Sequence, residues 1–120
     1  MIKFKSLNQS SKFIEILRKK KLNTRYFTIY FNKNSEKKIN VNKYLNISFV
    51  MKKKIGNAVK RNKIKRKLKS AVRKALNEKQ LINLNYTYII FGKNNVYNEK
   101  FTHVFDEISS TFKKIKQMSN

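Results

Sequence analysis

A twenty-residue segment, residues 57–76, combines the spacing of an amphipathic helix with a complete lack of acidic side chains. Its apolar residues recur at the period of about 3.6 residues that one helix face requires. They are Ile64, Leu68, Ala71, Val72 and Ala75. The opposite face carries Asn62, Lys65, Arg66, Lys69 and Arg73, with Lys60, Arg61, Lys63 and Lys67 on its flanks. Because no acid four residues away offsets these charges, they repel one another, and phosphate binding is the simplest explanation for them.

The start of this predicted helix is also basic. Residues 52–54 are all lysine, and Gly56 allows a close backbone approach or a positive φ. Asn57 is suited to cap the helix through its side chain. Unpaired backbone N–H groups make a helix start positive, so cations there indicate an anion-binding site. The alternative is a solvated basic face in a lysine-rich proteome, in which single lysines have no specific partner.

Basic residues dominate the whole chain. Its 120 residues include 30 Lys and Arg against 6 Asp and Glu, a formal net charge of +24. Such a charge destabilises a small fold by self-repulsion, and a bound polyanion relieves it. Nucleic acid is the first expectation, and an anionic membrane surface is the second. Hydrophobic residues make up 40 % and aromatic residues 12 %, which excludes a purely disordered basic tail and favours one domain over residues 1–120.

Several classes of site are excluded by residue counts. The chain has no Cys and one His, so disulfides, zinc fingers, thiol nucleophiles and histidine pairs are ruled out. Six scattered acids do not suggest a metal-dependent nuclease. We therefore expect no catalytic residue, metal or cofactor on this polypeptide. No apolar run reaches the length of a membrane span, and the first residues do not resemble a signal peptide. A soluble cytoplasmic protein without a membrane partner is expected.

Hydrophobic periodicity predicts three helices and three strands in the order α-β-β-α-β-α. The strands cover residues 25–31, 44–51 and 86–91, and residues 32–42 form a polar loop. The first helix is predicted over residues 10–20 with Ser10 or Ser11 as its cap, and Asn98 is the predicted cap of the third. This order indicates a single α+β domain with a small central sheet flanked by helices, including one split β-α-β unit.

Alternation in residues 25–31 separates two faces of the predicted strand. Phe27, Ile29 and Phe31 share one face, and Tyr26, Thr28 and Tyr30 share the other. The third helix has a core stripe, Phe101, Val104, Phe105, Ile108, Phe112 and Ile115, and His103 lies off it as a surface residue. Tyr86 and Tyr88 are interpreted as structural.

Residues 52–75, KKKIGNAVKRNKIKRKLKSAVRKA, resemble the signature of the protein subunit of bacterial ribonuclease P, K-K-x-G-N-A-V-x-R-N-R-I-K-R. The matching positions are Lys53, Lys54, Gly56, Asn57, Ala58, Val59, Arg61, Asn62, Ile64, Lys65 and Arg66. The chain departs from the family at Lys63 and Lys69, where arginine is usual, and at Lys52, where serine is frequent. Lysine lacks the planar fork of arginine for bidentate contacts.

The resemblance implies a left-handed β-α-β crossover carrying the basic helix, and a monomeric protein apart from its RNA. It also implies two binding sites. Contact with the ribonuclease P RNA subunit falls to Lys53, Lys54, Asn57, Arg61, Asn62, Lys63, Lys65, Arg66, Lys69 and Arg73. Contact with the 5′ leader of precursor tRNA falls to Phe13, Leu17, Thr28 and Tyr30. Leu17 departs from the family, which often has a second aromatic there, so that it offers apolar contact but not stacking. The RNA subunit holds the Mg²⁺ that the holoenzyme requires and removes the leader to give the mature tRNA 5′ end.

Two other functions fit parts of the pattern. A structural RNA-binding protein of the ribosomal type shares the charge and the helix but needs no leader-binding cleft. An independent protein nuclease would require an active site that the residue counts do not suggest. Phe13 fits core packing as well as leader contact, whereas the phenol of Tyr30 favours a wet binding face.

Overall fold

The computed structural model describes residues 2–7, 9–34, 44–79 and 81–118. The strands are β1 (Lys3–Lys5), β2 (Lys20–Asn23), β3 (Phe27–Lys33), β4 (Tyr44–Val50) and β5 (Tyr86–Gly92). The helices are α1 (Ser10–Leu17), α2 (Ala58–Lys79) and α3 (Phe101–Met118). Short 3₁₀ turns at Lys53–Ile55 and Asn94–Val96 precede α2 and α3.

The strands form one mixed sheet in the order β1-β4-β5-β3-β2. β4 and β5 are parallel neighbours, and α2 is the crossover that joins them. β3 runs antiparallel to β5, so that Tyr30 pairs with Ile89. The predicted β-α-β unit and the α+β class are therefore confirmed. The unit places the carboxyl end of β4 beside the start of α2, where the basic signature lies.

The main core lies between the sheet and the pair α2 and α3. All five apolar residues predicted for the α2 stripe are fully buried there, as is most of the α3 stripe. From the sheet, Phe27, Ile29 and Phe31 enter the same cluster, as their alternation predicted. α1 packs against β3 and β5 from the other side. Ile16 of α1 and Ile89 of β5 are buried but do not belong to the main cluster. In β5, successive side chains point to opposite faces, so Ile89 faces away from Tyr88 and Ile90, which do belong to it.

Two edge strands were not predicted. β1 pairs in parallel with β4, and β2 pairs antiparallel with β3. The first helix consequently ends at Leu17 instead of continuing to residue 20, because Lys20–Asn23 belongs to β2. The predicted loop 32–42 was wrong at its start, because Asn32 and Lys33 extend β3 and pair with β5. Residues 35–42 of that prediction lie outside the described residues.

The prediction for Tyr26 was wrong. It does not share a face with Tyr30 but lies before β3, 5 % exposed, in the main core. A turn at Thr24 explains the difference. The Thr24 hydroxyl donates to the carbonyl oxygen of Phe27 at 2.8 Å and accepts from the backbone N–H of Phe27 at 3.1 Å. The chain therefore turns before Phe27, and the alternation starts there.

Helix caps were predicted with mixed success. The Asn57 side chain caps α2, since its Oδ1 accepts a hydrogen bond from the backbone N–H of Lys60 at 2.9 Å. Gln9, not a serine, occupies the cap position of α1 and makes no side-chain cap hydrogen bond. Asn98 does not cap α3, because the helix begins at Phe101 and the carbonyl of Lys100 receives its first bonds.

Tyr88 couples the stability of the core to alkaline pH. Its side chain is fully buried, and its hydroxyl donates to the carbonyl oxygen of Asn83 at 2.7 Å. Burial raises the pKa of this phenol, with a smaller contribution from Tyr86. A raised pKa in the folded state means that the stabilisation is complete below the unfolded pKa, about 10, and falls as pH rises beyond it. We expect the free energy of unfolding to fall by about 1 kcal/mol from this group between pH 10 and 11.

Denaturant titrations at pH 9, 10 and 11 check this expectation. Tyr88→Phe removes the titrating group and is expected to flatten the alkaline decline relative to the wild type. Tyr44→Phe is the matched control, because Tyr44 is 44 % exposed. An equally steep decline in Tyr88→Phe would contradict the assignment.

Candidate nucleic-acid interface

The connection between β4 and α2 contains a glycine with a positive φ. Gly56 has φ 154° and ψ −165°, a conformation that essentially only glycine adopts. A Cβ at this position would lie 2.8 Å from Cδ of Lys60. The 3₁₀ turn just before Gly56 leaves Lys53 and Lys54 exposed. The predicted requirement for glycine is thus met by the backbone angle, whereas the nearby Lys60 methylene belongs to a flexible side chain that can move.

The ten residues predicted to bind the RNA subunit lie on α2 and on the segment just before it, and they are here called the basic face. Eight of them are exposed, and Arg61 and Lys65 are half-buried. Within the described ranges, none of the ten pairs with an acidic side chain. The α2 salt bridge runs instead between Lys74 and Glu78, which are 4.0 Å apart and outside the face. The basic face therefore presents uncompensated positive charge to solvent.

Aromatic rings border the basic face. The guanidinium carbon of Arg73 lies 4.3 Å from the ring centre of Phe4, and Nζ of Lys69 lies 6.0 Å from that of Phe49. The two rings stack on each other with centroids 6.2 Å apart. Nζ of Lys63 lies 5.5 Å from the ring of Tyr97 on the other border. Sequence reasoning did not place these rings beside the basic face. Phe4, for example, reaches it through the pairing of β1 with β4, which the sequence did not predict.

One flanking lysine has a structural role. Nζ of Lys67 donates to three backbone carbonyls, those of Val96 at 2.9 Å, Tyr97 at 3.2 Å and Glu99 at 2.7 Å. An ammonium has three donors, and all of them are used here. Lys67 therefore ties α2 to the segment before α3 and is not available to a ligand in this arrangement.

A pocket of about 200 Å³ lies where β4 ends and α2 begins. It is lined by Phe49, Met51, Ala58, Arg61, Asn62 and Lys65. Nε of Arg61 is buried, and no described residue accepts a hydrogen bond from it. Phe49 and Met51 were predicted only as apolar strand residues, since the sequence does not show which helix residues they face.

The predicted leader-binding residues lie on the opposite face of the sheet, on the side of α1. Tyr30 and Thr28 of β3 are half-buried, as are Phe13 and Leu17 of α1. The buried contact of α1 is Ile16, which leaves Phe13 and Leu17 on its margins. Thr28 donates from Oγ1 to Oδ1 of Asn23 at 2.8 Å. The structure thus brings these four residues to one side of the sheet.

Three further residues complete this surface, which is here called the aromatic cleft. The rings of Tyr30 and Phe91 meet edge to face, with centroids 5.5 Å apart. Nζ of Lys21 lies 5.9 Å from the Tyr30 ring, and Nζ of Lys52 lies 5.6 Å from the Phe91 ring. Aromatic rings flanked by ammonium groups are the combination that binds single-stranded nucleic acid. Sequence reasoning missed Phe91 and Lys21, and it assigned Lys52 to the anion site at the start of α2 instead of to this surface. Alternation in β5 could have separated Phe91 from Ile90.

Among the described residues, the acidic groups and the single histidine are not part of either surface. Nδ1 of His103, an exposed residue as predicted, lies 2.7 Å from Oε1 of Glu99 at the start of α3. This hydrogen bond is the largest cause that lowers the pKa of the Glu99 carboxyl. In the described ranges, His, Asp and Glu form no cluster of three or more that could hold a metal ion. Over the same ranges, no helix is long and apolar enough to cross a membrane.

A mixed five-stranded sheet, a basic crossover helix and an aromatic cleft on the opposite face define a small α+β protein with two cationic surfaces. Comparison with known proteins identifies its family. The family model described as Ribonuclease P matches residues 1–116. The chain belongs to the ribonuclease P protein family.

Relatives match most of the chain. The ribonuclease P protein component of Carboxydothermus hydrogenoformans is 30 % identical over 94 residues, which cover 78 % of this chain and 75 % of that protein. The component of Mesomycoplasma hyopneumoniae strain 7448 is 29 % identical over 118 residues, 98 % of this chain and 97 % of that protein. The solved RNase P protein of Thermotoga maritima superposes with a TM-score of 0.72 at 23 % identity, covering 92 % of this chain and 96 % of that one. The structural likeness supports the fold, and the family membership supports a subunit of ribonuclease P.

Proposed function

We propose that this chain binds the ribonuclease P RNA through the basic face and the 5′ leader of precursor tRNA through the aromatic cleft. It acts as a monomer in the cytoplasm, where it assists removal of the leader to give the mature tRNA 5′ end. The observation that carries the proposal is the placement of two chemically different cationic surfaces on opposite faces of one sheet. One RNA can occupy the basic face while a second RNA lies in the cleft.

The two surfaces suit different forms of RNA. The basic face presents a row of cations along α2, with aromatic rings only at its borders, and such a row fits the phosphates of a folded RNA. The aromatic cleft presents the Tyr30 and Phe91 rings between two ammonium groups, which fits unpaired bases that stack and phosphates that pair with charge. A leader is a single strand attached to a folded tRNA, so the cleft fits the part of the substrate that is removed.

We assign the chemistry and its Mg²⁺ to the RNA subunit. The resemblance of residues 52–75 to the family signature implies this division of labour. The sequence agrees with it, since six scattered acids and one histidine offer neither a two-metal site nor an acid–base pair. The protein contributes positive charge that reduces repulsion between the two RNAs and a grip on the leader.

Reconstitution with the ribonuclease P RNA of the same genome tests the proposal. Affinity of the assembled complex for precursor tRNA and for mature tRNA is measured in Mg²⁺ buffer, with and without the protein. We expect the protein to tighten precursor binding by at least about fivefold over mature tRNA, the effect of stacking one base. Equal tightening of both tRNAs would reject the leader assignment and favour a structural RNA-binding protein. Cleavage by the polypeptide alone would reject the assignment of chemistry to the RNA.

A further inference from the structure

The connection between β5 and α3, residues 93–99, contacts elements of both binding surfaces. Its anchor is Val96, whose side chain is fully buried in the main core. On one side, backbone carbonyls of the connection accept hydrogen bonds from Lys67 of α2. On the other side, the connection is bonded to the turn at residues 23–26, which leads into β3. Since α2 carries the basic face and β3 carries part of the aromatic cleft, the connection joins the supports of the two surfaces.

One ammonium group makes the contact with α2. Nζ of Lys67 uses its three donors on backbone carbonyls of the connection, at 2.9 Å, 3.2 Å and 2.7 Å. Hydrogen bonds from a charged donor are about twice as strong as those between neutral groups. Lys67 lies in the acid-free segment 57–76, yet its charge is directed at the protein itself. It therefore acts as a tie within the fold and not as a ligand for phosphate.

Lys93 and Asn95 make the contact with the turn. Nζ of Lys93 donates to Oδ1 of Asn23 at 2.8 Å and to the carbonyl oxygen of Thr24 at 2.6 Å. The side-chain amide of Asn95 and the backbone N–H of Lys93 donate to the next two carbonyls of the turn, at 2.8 Å and 3.0 Å respectively. These hydrogen bonds hold the turn to the connection.

The turn is continuous with the aromatic cleft. Oδ1 of Asn23, which accepts from Lys93, also accepts a hydrogen bond from Oγ1 of Thr28 at 2.8 Å. β2 and β3 meet at this turn, and their register pairs Lys21 with Tyr30. A shift of the turn therefore moves the groups that the cleft presents to a single strand.

We propose that residues 93–99 form a bridge that fixes the aromatic cleft relative to the basic face, with Lys67 and Lys93 as its positioning residues. The inference rests on the proposed function and adds to it the means by which two bound RNAs keep one relative position. A cleft that is already in place requires less ordering when the leader binds, so the bridge increases the preference for precursor tRNA. Neither lysine contacts RNA in this role.

Lys67→Met tests the bridge from the α2 end, because methionine keeps an apolar stem and removes the three donors. Amide hydrogen exchange of the full chain is measured at Thr24, whose N–H donates to the carbonyl of Phe27 at 2.8 Å. We expect exchange there to become about tenfold faster, since the turn loses its support through the connection. Lys74→Met is the matched control and is expected to keep the wild-type rate. It removes the same charge from α2 at a residue that contacts α3, with Nζ 4.6 Å from the Phe105 ring centre.

Lys93→Met tests the bridge from the end at the turn. Here exchange is measured at Tyr97, whose N–H donates to the carbonyl of Asn94 at 3.1 Å, and it is again expected to be about tenfold faster. Because both variants free the same segment, the double variant is expected to resemble either single variant. Far-UV circular dichroism verifies folding, and either single variant decides the proposal if the other does not fold.

The reconstituted complex supplies the functional readout. Lys67→Met is expected to lower the preference for precursor over mature tRNA by about threefold, a modest effect for a residue that acts through a network. It is expected to leave unchanged the slope of log affinity for the ribonuclease P RNA against log salt. Lys63→Met, which removes a cation of the basic face, is expected to lower that slope by about 0.9.

Four results would overturn the proposal. They are a wild-type exchange rate at Thr24 in Lys67→Met, equally fast exchange in Lys74→Met, a lower salt slope in Lys67→Met, and an unchanged preference for precursor tRNA in a Lys67→Met protein whose turn has loosened. Failure of the proposed function is a separate result. It would be seen as equal binding of precursor and mature tRNA by the wild-type complex, while the exchange rates still decide whether the bridge exists.

Discussion

Replacement of Arg66, Lys69 and Arg73 by glutamine is expected to weaken binding to the ribonuclease P RNA by about 500-fold at 0.1 M salt and hardly at all at 1 M. All three side chains are exposed on the basic face, and no described acid pairs with them. Each lost phosphate contact removes about 0.9 from the slope of log affinity against log salt, so three contacts remove about 2.7. Affinities measured at five salt concentrations give the slope directly.

A second triple variant separates the effect of lower net charge from the effect of removing cations at the basic face. A control variant replaces Lys100, Lys113 and Lys114, which are exposed on or just before α3, by glutamine. Both variants lower the formal charge by the same amount, from +24 to +21. The control is expected to retain most of the affinity and most of the slope. If both variants lose affinity equally, the basic face is not the docking surface and the charge acts only at long range.

Tyr30→Leu is expected to cost the reconstituted complex about tenfold in affinity for precursor tRNA and almost nothing for mature tRNA. Leucine keeps an apolar side chain in the cleft but cannot stack on a base as a ring does. Phe91→Leu is expected to act similarly. The centroids of the two rings lie 5.5 Å apart, so the rings are in contact. The double variant is therefore expected to lose less affinity for precursor tRNA than the product of the two single losses.

Tyr97→Leu is the control for this prediction. Tyr97 also has an aromatic ring beside a lysine, since Nζ of Lys60 lies 5.2 Å from the centre of its ring. This ring borders the basic face and not the cleft. It is expected to leave the discrimination between precursor and mature tRNA intact. Loss of affinity for both tRNAs in Tyr30→Leu, together with a lower melting temperature, would point to damage of the sheet instead of a missing leader contact.

The long, strongly periodic elements were predictable from sequence, and the short polar ones were not. In α2 and α3 the buried stripe repeats over several turns, so that Ile64, Leu68 and Ile108 could be assigned to the core. β1 spans only Lys3–Lys5, with a single apolar residue between two lysines, which is too short for a period to emerge. β2 is equally polar. Such strands exist because β3 and β4 offer backbone hydrogen bonds, a tertiary effect that local pattern does not contain.

The same limit applies to the binding surfaces. The basic face lies on one helix, so its ten residues followed from helical spacing and from the family signature. The aromatic cleft and the pocket join residues of different strands. Phe91 enters the cleft because it pairs with Thr28 of β3, and Phe49 enters the pocket because α2 crosses over β4. Register and crossover placement are properties of the assembled sheet, so sequence periodicity could not supply these contacts.

Both outer strands of the sheet carry lysines, Lys3 and Lys5 on β1 and Lys20 and Lys21 on β2. An unpaired strand edge is a template for pairing with another chain, and lysine is the residue that most effectively prevents it. Two copies of this protein approaching edge to edge would bring like charges together along the whole contact. We therefore expect protein in excess over its RNA to resist β-sheet aggregation at low salt, and to lose this protection as salt or short polyanions screen the edges.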